Sequence, residues 1–271
     1  MVTIFELVGG RPKLFASAPT MAEASALLPH GAYTTLRTYE TGRRVLRLGH
    51  HLRRLHESAP PGTGEGLDES SVRAGLAAAL GKSGHADSRL RLTWVRPQLF
   101  ASIEPLEPLP ESLYQDGVSC LTVPLRRDAP RRKDTRFISA AQAAYHDLPA
   151  GIHEGLMVAE DGTILEGLSS NFFAVRDGIL HTEDERVLHG ITRGIVLELA
   201  RGLLPRGPGA VRRDQIGELS EAFLTSASRG VLPVVDIDGA AIGDRRPGPV
   251  TRELRLRLDD LVRREAEPLT G

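Results

Sequence analysis

Along the first hundred residues, short segments with the hydrophobic spacing of a strand alternate with short segments that have the spacing of a helix. Apolar residues at three- and four-residue spacing predict helices over residues 21–28, 50–58 and 70–80. Runs rich in β-branched and aromatic side chains predict strands over residues 33–39 and 89–95. The first part of the chain is therefore expected to be α+β.

The second part of the chain carries mainly strand signals. Pro105, Pro108 and Pro110 break any regular element, and irregular chain is expected from there towards Asp134. Strands are predicted at residues 156–159, 163–165, 172–175 and 179–182, with Asp-Gly hairpin turns at 161–162 and 177–178, and helices at 192–204 and 250–265. We expect a small N-terminal α+β domain over residues 1–118 and a larger domain over residues 119–271.

Composition limits the partners that the chain is expected to bind. The 34 basic and 35 acidic side chains nearly cancel, so no overall field favours nucleic acid or an anionic membrane. Cys120 is the single cysteine, which excludes an intramolecular disulfide and fits a reducing compartment. No apolar stretch is long enough to span a bilayer, and residues 1–10 lack a signal-peptide pattern. A cytoplasmic protein with a small-molecule ligand is expected.

Lysine is rare in this chain, with three lysines against thirty-one arginines. Lys133 lies in the otherwise arginine-built run RRKDTR at residues 131–136. Arginine stays protonated, whereas a lysine amine can lose its proton and form a Schiff base. Lys133 is therefore the first candidate for covalent chemistry. The alternative is a surface cation in a solvated loop.

Three segments could hold an anion. The run LHGITRG at residues 188–194 leads into a helix, whose first amides attract anions, although ordinary capping by Thr192 would explain the same residues. The run LTSASRG at residues 224–230 is a hydroxyl-rich turn. Arg54 could add a bidentate contact.

Glu166 ends a strand before the polar loop GLSSN at residues 167–171, which could hold its carboxylate inward or leave it in a solvated turn. An amine, a carboxylate and an anion cradle are together the requirements of a pyridoxal phosphate site.

The order of the motifs resembles the class IV aminotransferases, the fold-type IV pyridoxal phosphate enzymes, over roughly residues 30–235. The matching motifs are GAYTTLR (31–37), HLRRL (51–55), Lys133, EGLM (154–157), DGTILEG (161–167), SNFF (170–173), GITR (190–193) and PV (233–234). The resemblance implies a D-amino-acid aminotransferase-like, two-domain α+β fold, with a β-rich C-terminal domain that binds the cofactor. It also implies a homodimer.

The resemblance implies a role for each matching residue. Lys133 would hold the cofactor as a Schiff base and move the proton on the substrate carbon, and Glu166 would keep the pyridine nitrogen protonated. The residues at phosphate-binding positions are Arg54, Ile191, Thr192, Ala227 and Ser228. Several family members carry threonine where this chain has Ala227, so a backbone amide, Ser226 or Ser228 would have to supply that contact.

Three reactions remain open within the family: branched-chain transamination, D-amino-acid transamination, and the 4-amino-4-deoxychorismate lyase reaction, which yields 4-aminobenzoate and pyruvate for folate synthesis. The lyase is favoured because Tyr33-Thr34-Thr35 and SRGVLP (228–233) resemble the lyases, whereas transaminases tend to carry glutamate at the position of Thr34. The run WVRP at residues 94–97 resembles a tyrosine-isoleucine-arginine-proline stretch of the branched-chain enzymes and keeps transamination open.

Two further residues are candidates for substrate binding. Arg96 could bind a substrate carboxylate or merely cap a strand end, and Tyr33 could line the pocket or bury its ring. No metal is expected, because His50 and His51 point to different helix faces and lack a third ligand. A non-catalytic scaffold that binds nucleic acid or an acidic partner through the basic residues 126–136 remains the alternative of a different class.

Overall fold

A computed structural model of the chain describes residues 1–60 and 66–270. Its contacts define two compact units, each assembled from separated stretches of chain. The first contains Met1–Glu107, Arg132–Ser139 and Val262–Gly271, and the second contains Pro108–Arg131 and Ala140–Leu261. The domain division at residues 118 and 119 stays a prediction. None of the described helices combines the length and the apolarity that crossing a membrane requires.

The described residues form fifteen strands, seven α-helices and one 3₁₀ turn. The strands are β1 (Val2–Val8), β2 (Arg11–Ala18), β3 (Ala32–Tyr39), β4 (Arg44–Val45), β5 (Ser88–Val95), β6 (Gln98–Pro105), β7 (Val118–Val123), β8 (Ile152–Val158), β9 (Ile164–Gly167), β10 (Asn171–Arg176), β11 (Ile179–His181), β12 (Glu221–Ser226), β13 (Gly230–Ile237), β14 (Ala240–Ala241) and β15 (Glu267–Pro268). The helices are α1 (Met21–Ala26), α2 (Leu48–Ser58), α3 (Glu69–Ser83), α4 (Glu111–Asp116), α5 (Arg136–His146), α6 (Ile191–Ala200) and α7 (Pro249–Glu265), with a 3₁₀ turn at Arg213–Glu218.

The first unit is built on an antiparallel sheet in the order β15-β4-β3-β5-β6-β1-β2. Helix α2 turns Leu48, Leu52 and Leu55 towards this sheet, a spacing that places all three on one helical face. Each of these leucines is buried, which stabilises the packing by roughly 1.5–3 kcal/mol per side chain. This packing fixes the helix that carries His51 and Arg54.

Helix α2 begins two residues before the predicted start. Its N-cap, Arg47, makes no side-chain capping bond. Instead, the backbone amide of Leu48 donates to Glu267 Oε1 at 2.7 Å. A carboxylate 219 residues away in sequence thus extends the helix, and no local pattern could have indicated it.

The second unit contains a sheet that closes on itself. Its strands follow the order β11-β10-β12-β13-β7-β8-β9, and β9 also pairs with β10. The β13–β7 and β7–β8 pairs are parallel, and the other neighbours are antiparallel. The strands β10, β12, β13, β7, β8 and β9 therefore form a ring. It closes where Asn171 pairs with Glu166.

Both Asp-Gly turns are confirmed as hairpins. Between β10 and β11, Asp177 and Gly178 have φ values of 53° and 73°, and positive values at both central residues are typical of the type I′ turn. Between β8 and β9, the backbone amide of Thr163 donates to Asp161 Oδ1 at 3.0 Å. Gly162 there has φ 81°.

The prediction of irregular chain between Pro110 and Asp134 is wrong. Helix α4 starts directly after Pro110, and β7 follows it. Strand β7 lies between the parallel neighbours β13 and β8, so distant partners stabilise a segment whose own pattern is weak. One further helix and one helix end also differ from the prediction. Helix α5 was not predicted, and α6 ends at Ala200 rather than at residue 204.

Candidate active site

Lys133 lies in a segment of the first unit that is fixed by backbone hydrogen bonds. Its amide donates to Ser58 Oγ at 3.0 Å, and its carbonyl accepts from the Tyr33 amide at 2.8 Å. The neighbouring Asp134 forms a bridge with Ala32 of β3. Lys133 is half-buried, and its Nζ lies 4.9 Å from the centroid of the Tyr33 ring. Lys133 is therefore not a surface cation in a solvated loop.

A buried histidine accompanies Lys133. Thr34 and His51 are both buried, and Thr34 Oγ1 lies 2.7 Å from His51 Nδ1. Burial lowers the pKa of His51 well below 6.5, and the positive charges of Arg54 and Lys133 lower it further. The first unit thus brings Lys133 close to the Tyr33 ring and places Lys133 and Arg54 near a neutral imidazole.

Tyr33 and Arg96, the two candidates for substrate binding, each make a cation–π contact. Tyr33 is buried, and the guanidinium carbon of Arg91 lies 5.0 Å from its ring centroid. Arg96 follows β5, and its guanidinium carbon lies 4.3 Å above the ring of Trp94. Stacking on an aromatic face leaves the edge of a guanidinium available for planar, bidentate contacts.

Glu166 lies in the second unit with its carboxylate enclosed by donors. Its side chain is 3% exposed. Arg127 Nε donates to Oε1 at 2.9 Å, Asn171 Nδ2 donates to Oε2 at 3.0 Å, and the Leu188 amide donates to Oε2 at 3.3 Å. The loop after Glu166 therefore turns the carboxylate inward, so the solvated-turn alternative is wrong.

Helix α6 starts at Ile191, and its N-cap is Gly190, which makes no side-chain capping bond. The alternative of capping by Thr192 is therefore wrong, because Thr192 is the second residue of the helix. A Cβ atom at Gly190 would lie 2.1 Å from Asn171 Oδ1. Only glycine lets the start of α6 approach the residue that binds Glu166.

Ala227 and Ser228 are half-buried in the three-residue turn between β12 and β13. Thr225, at the end of β12, pairs in register with Asn171 of β10. Its Oγ1 is buried and has no hydrogen-bond partner within residues 1–60 and 66–270. Ser226 Oγ accepts from the Arg229 amide at 3.3 Å, so this hydroxyl already has a donor.

Sequence reasoning missed three residues around Glu166 and the turn: Arg127, Asn171 and Thr225. Asn171 and Thr225 lie inside motifs that were noted for other residues. Arg127 was hidden in the basic run at residues 126–136, where four of the five arginines bind individual carboxylates: Arg126 with Glu160, Arg127 with Glu166, Arg131 with Glu185 and Arg136 with Asp134. Within the described parts of the chain, no three His, Cys, Asp or Glu side chains could together hold a metal ion.

The chain is similar to known proteins of one family. The model of the amino-transferase class IV family matches residues 31–237. The chain is 26% identical to the branched-chain-amino-acid aminotransferase of Pseudomonas aeruginosa, over 88% of this chain and 85% of that protein. It is 28% identical to the D-alanine aminotransferase of Bacillus licheniformis, over 86% of this chain and 87% of that protein. A match to a Methanocaldococcus jannaschii protein, 29% identical, covers 61% of this chain and only 59% of that protein.

Solved structures show the same fold. The T.th. branched-chain amino acid aminotransferase with pyridoxamine 5'-phosphate superposes with a TM-score of 0.79 at 24% identity, over 99% of this chain and 98% of that one. The branched-chain amino acid aminotransferase from Escherichia coli gives 0.72 at 22% identity, over 98% and 95%. The chain therefore belongs to the class IV aminotransferases, the fold-type IV enzymes that depend on pyridoxal phosphate.

Proposed function

We propose that the enzyme is a transaminase of small amino acids, with a branched-chain amino acid as its first donor. The observation that carries the proposal is the buried Glu166 carboxylate, bound by Arg127 and Asn171. A guanidinium and an amide donor favour the charged carboxylate, which is the partner that a protonated pyridine nitrogen requires. Relatives named for branched-chain amino acids and for D-alanine support transamination as the reaction.

The donor set of the second unit also fits a phosphate. Helix α6 presents its first amides without a capping side chain, and such an N-terminus favours an anion. Ile191 and Thr192 would supply these amides. Thr225, whose buried hydroxyl lacks a partner in the described chain, pairs with Asn171 next to this helix start. Ser228 and the Ala227 amide would add donors within this unit, and the family resemblance assigns a phosphate contact to Arg54 of the first unit as well.

Lys133 would bind the cofactor covalently and then transfer protons. When bound, pyridoxal phosphate supplies an electron sink for the charge that develops on the substrate α-carbon. Lys133 Nζ would take the proton from that carbon. The half-buried position suits an amine that must lose its own proton first, because burial disfavours the charged form.

Arg96 would bind the α-carboxylate of the substrate. Its guanidinium is stacked on Trp94, and a guanidinium held flat in this way can offer two parallel N–H groups. Tyr33, whose ring contacts Lys133, would line the pocket beside the reacting carbon. Replacing Arg96 with methionine should raise KM for the amino acid much more than it changes cofactor affinity.

The 4-amino-4-deoxychorismate lyase reaction is the second candidate. It is favoured by Thr34, which is fully buried and hydrogen-bonded to His51 at a position where transaminases tend to carry glutamate. The lyase stays a prediction. It ranks second because the relatives that match most of the chain are named as transaminases.

Product analysis separates the candidates. Purified enzyme with pyridoxal phosphate would receive leucine and 2-oxoglutarate, D-alanine and 2-oxoglutarate, or 4-amino-4-deoxychorismate. Glutamate from leucine is the expected result, and glutamate from D-alanine alone would move the proposal to the D-amino acids. Formation of 4-aminobenzoate without glutamate would establish the lyase instead.

Lys133→Ala tests the covalent role directly. Borohydride reduction of the loaded wild-type enzyme should add the mass of the cofactor to one peptide, and Lys133→Ala should lose this adduct together with activity. Lys82→Ala removes an exposed lysine and should retain both. An adduct on Lys133→Ala would contradict the assignment.

The resemblance extends the proposal to a cytoplasmic homodimer with the domain division near residue 118. Light scattering of the purified enzyme tests the dimer, since a mass of one chain, 29.4 kDa, would refute it.

A further inference from the structure

A second buried carboxylate, Glu154 of β8, lies at the centre of a side-chain network in the second unit. It is 0% exposed. Arg229 Nη2 donates to its Oε2 at 2.9 Å, Ser170 Oγ at 2.9 Å and Ser169 Oγ at 3.2 Å, and the Tyr145 hydroxyl donates to Oε1. Neither the proposed chemistry nor the family motifs give this carboxylate a task.

One arm of the network ends in the turn of Ala227 and Ser228. Arg229 closes this turn, because its amide and its Nε both donate to Ser226 Oγ, at 3.3 and 3.2 Å. The Arg229 carbonyl accepts from the Tyr114 hydroxyl at 2.8 Å. The guanidinium that reaches Glu154 therefore belongs to the same residue that shapes the turn.

The other arm ends at Glu166. Ser169 and Ser170 lie in the loop between β9 and β10, where the Gly167 amide donates to the Ser170 carbonyl at 2.8 Å. The next residue, Asn171, binds the Glu166 carboxylate. Arg229 Nη2 also donates to Ser169 Oγ at 2.8 Å, so the two arms meet.

We propose that Glu154 is a positioning residue that fixes both ends of the cofactor site, the phosphate turn through Arg229 and the Glu166 loop through Ser169 and Ser170. This inference rests on the proposed function, because it takes Ala227, Ser228 and Glu166 as cofactor contacts. The hydrogen bonds around Glu154 would thus serve cofactor binding and not only the stability of the fold.

The energetics of buried charges support this assignment. A buried ion pair seldom stabilises a fold more than well-packed apolar side chains would. Burial opposes the charge on Arg229, yet the Glu154 carboxylate outweighs it and raises the pKa of the guanidinium. Burial and the same carboxylate raise the pKa of the Tyr145 hydroxyl. Arg229 is therefore held charged, and charged hydrogen bonds have the strict geometry that positioning requires.

The test compares pyridoxal phosphate with pyridoxal, which lacks the phosphate. The main variant is Glu154→Gln/Arg229→Gln, because removing both charges leaves no buried unpaired ion and the protein should fold. We expect its affinity for pyridoxal phosphate to fall roughly tenfold to a hundredfold. Its affinity for pyridoxal should fall less, so that the ratio of the two dissociation constants changes.

A second variant examines the other arm. Ser170→Ala removes a hydrogen bond on the Glu166 side, so it should weaken binding of both compounds equally and lower kcat. The matched control is Glu218→Gln/Arg176→Gln, an ion pair of the same unit whose side chains are 61% and 24% exposed, which should change neither affinity. Circular dichroism and thermal unfolding establish that each variant is folded.

The outcomes are distinguishable. If the wild-type enzyme binds pyridoxal phosphate but the Glu154→Gln/Arg229→Gln enzyme keeps both affinities and their ratio, the inference is wrong and the proposed function stands. If the variant is destabilised to heat with the ratio unchanged, the network is structural only, which also overturns the inference. A wild-type enzyme that binds neither compound would overturn the proposed function itself.

Discussion

Asn171 donates its side-chain amide to Glu166 at 3.0 Å, and the backbones of the same two residues pair where the ring of strands closes. The amide also donates to the Leu188 carbonyl at 2.7 Å, just before helix α6. One side chain thus connects the carboxylate proposed to bind the pyridine nitrogen with the helix proposed to bind phosphate. The pairing that closes the ring of strands therefore involves the same two residues as the hydrogen bond that orients the Glu166 carboxylate.

Arg127→Met should destabilise the enzyme strongly. The Arg127 and Glu166 side chains are only 6% and 3% exposed, and removing one partner of a buried pair leaves the other charge uncompensated, at a cost of about 3–5 kcal/mol. Unfolding by guanidinium chloride, followed by circular dichroism, measures this loss. Cofactor affinity should fall as well, because Glu166 loses the donor that orients Oε1.

Arg126→Met is the matched control. Arg126 pairs with Glu160, but the two side chains are 56% and 83% exposed, and such surface pairs contribute about 0–1 kcal/mol. Equal losses in the two variants would show that the burial of Arg127 has no energetic consequence, contrary to this prediction.

Gly190→Ala should weaken both the fold and cofactor binding. The new Cβ would lie 2.1 Å from Asn171 Oδ1, so either Asn171 or the start of α6 must move. Overpacking of this kind costs typically about 1–3 kcal/mol, and movement of Asn171 would disturb Glu166. Thermal unfolding and titration with pyridoxal phosphate measure the two effects.

Gly194→Ala separates this steric effect from helix propensity. Gly194 lies in the same helix with nothing within 4 Å of the added Cβ, so alanine should stabilise α6 by about 0.5–1 kcal/mol. If Gly190→Ala were also stabilising, the close approach to Asn171 would be wrong.

The sequence predicted the elements whose own pattern is strong, and it indicated Lys133 and Glu166 as candidate site residues. Strands β3 and β5 and helices α2 and α3 carry clear periodicity, and their predicted ranges agree with the structure to within a few residues. Strand β7 depends on β13 and β8, and the burial of Arg127 depends on Glu166, 39 residues further along the chain. Such long-range partners leave no local periodicity, which is why these features were missed.

Glu267→Ala should unravel the first turn of α2. Glu267 accepts from the Leu48 amide at 2.7 Å and from Arg73 Nη2 at 2.7 Å. Loss of a capping acceptor costs typically about 0.5–2 kcal/mol. Hydrogen exchange should become faster at the amides of residues 48–51, and thermal unfolding should begin at lower temperature.

Glu265→Ala provides the comparison two residues away. Glu265 is 44% exposed and accepts from the Arg47 side chain at 3.1 Å. Its removal should leave the exchange of the Leu48 amide unchanged. Faster exchange in both variants would indicate a general effect of the C-terminal segment rather than capping.

His51 should make the stability of the enzyme fall as the solution becomes acidic. Burial, followed by the charges of Arg54 and Lys133, holds its pKa well below 6.5 in the folded state. Above pH 6.5 the imidazole is neutral in both states and contributes no pH dependence. Below pH 6.5 the unfolded chain binds a proton that the folded chain does not, so the free energy of unfolding falls by up to about 1.4 kcal/mol per pH unit.

The contribution of His51 is separated from that of the carboxylates by comparing how steeply the free energy of unfolding changes with pH in different variants. The free energy of unfolding would be measured between pH 5 and 8 for the wild type, for His51→Gln and for His50→Gln, which changes the exposed neighbour on the same helix. His51→Gln should have a lower free energy of unfolding at pH 8, because the Thr34 hydrogen bond is altered, but a shallower decline below pH 6.5. His50→Gln removes only the smallest of the charges that lower the His51 pKa, so it should keep nearly the wild-type slope. Identical slopes for all three proteins would mean that His51 accepts its proton as readily in the folded chain as in the unfolded one, and the neutral imidazole beside Lys133 would have to be abandoned.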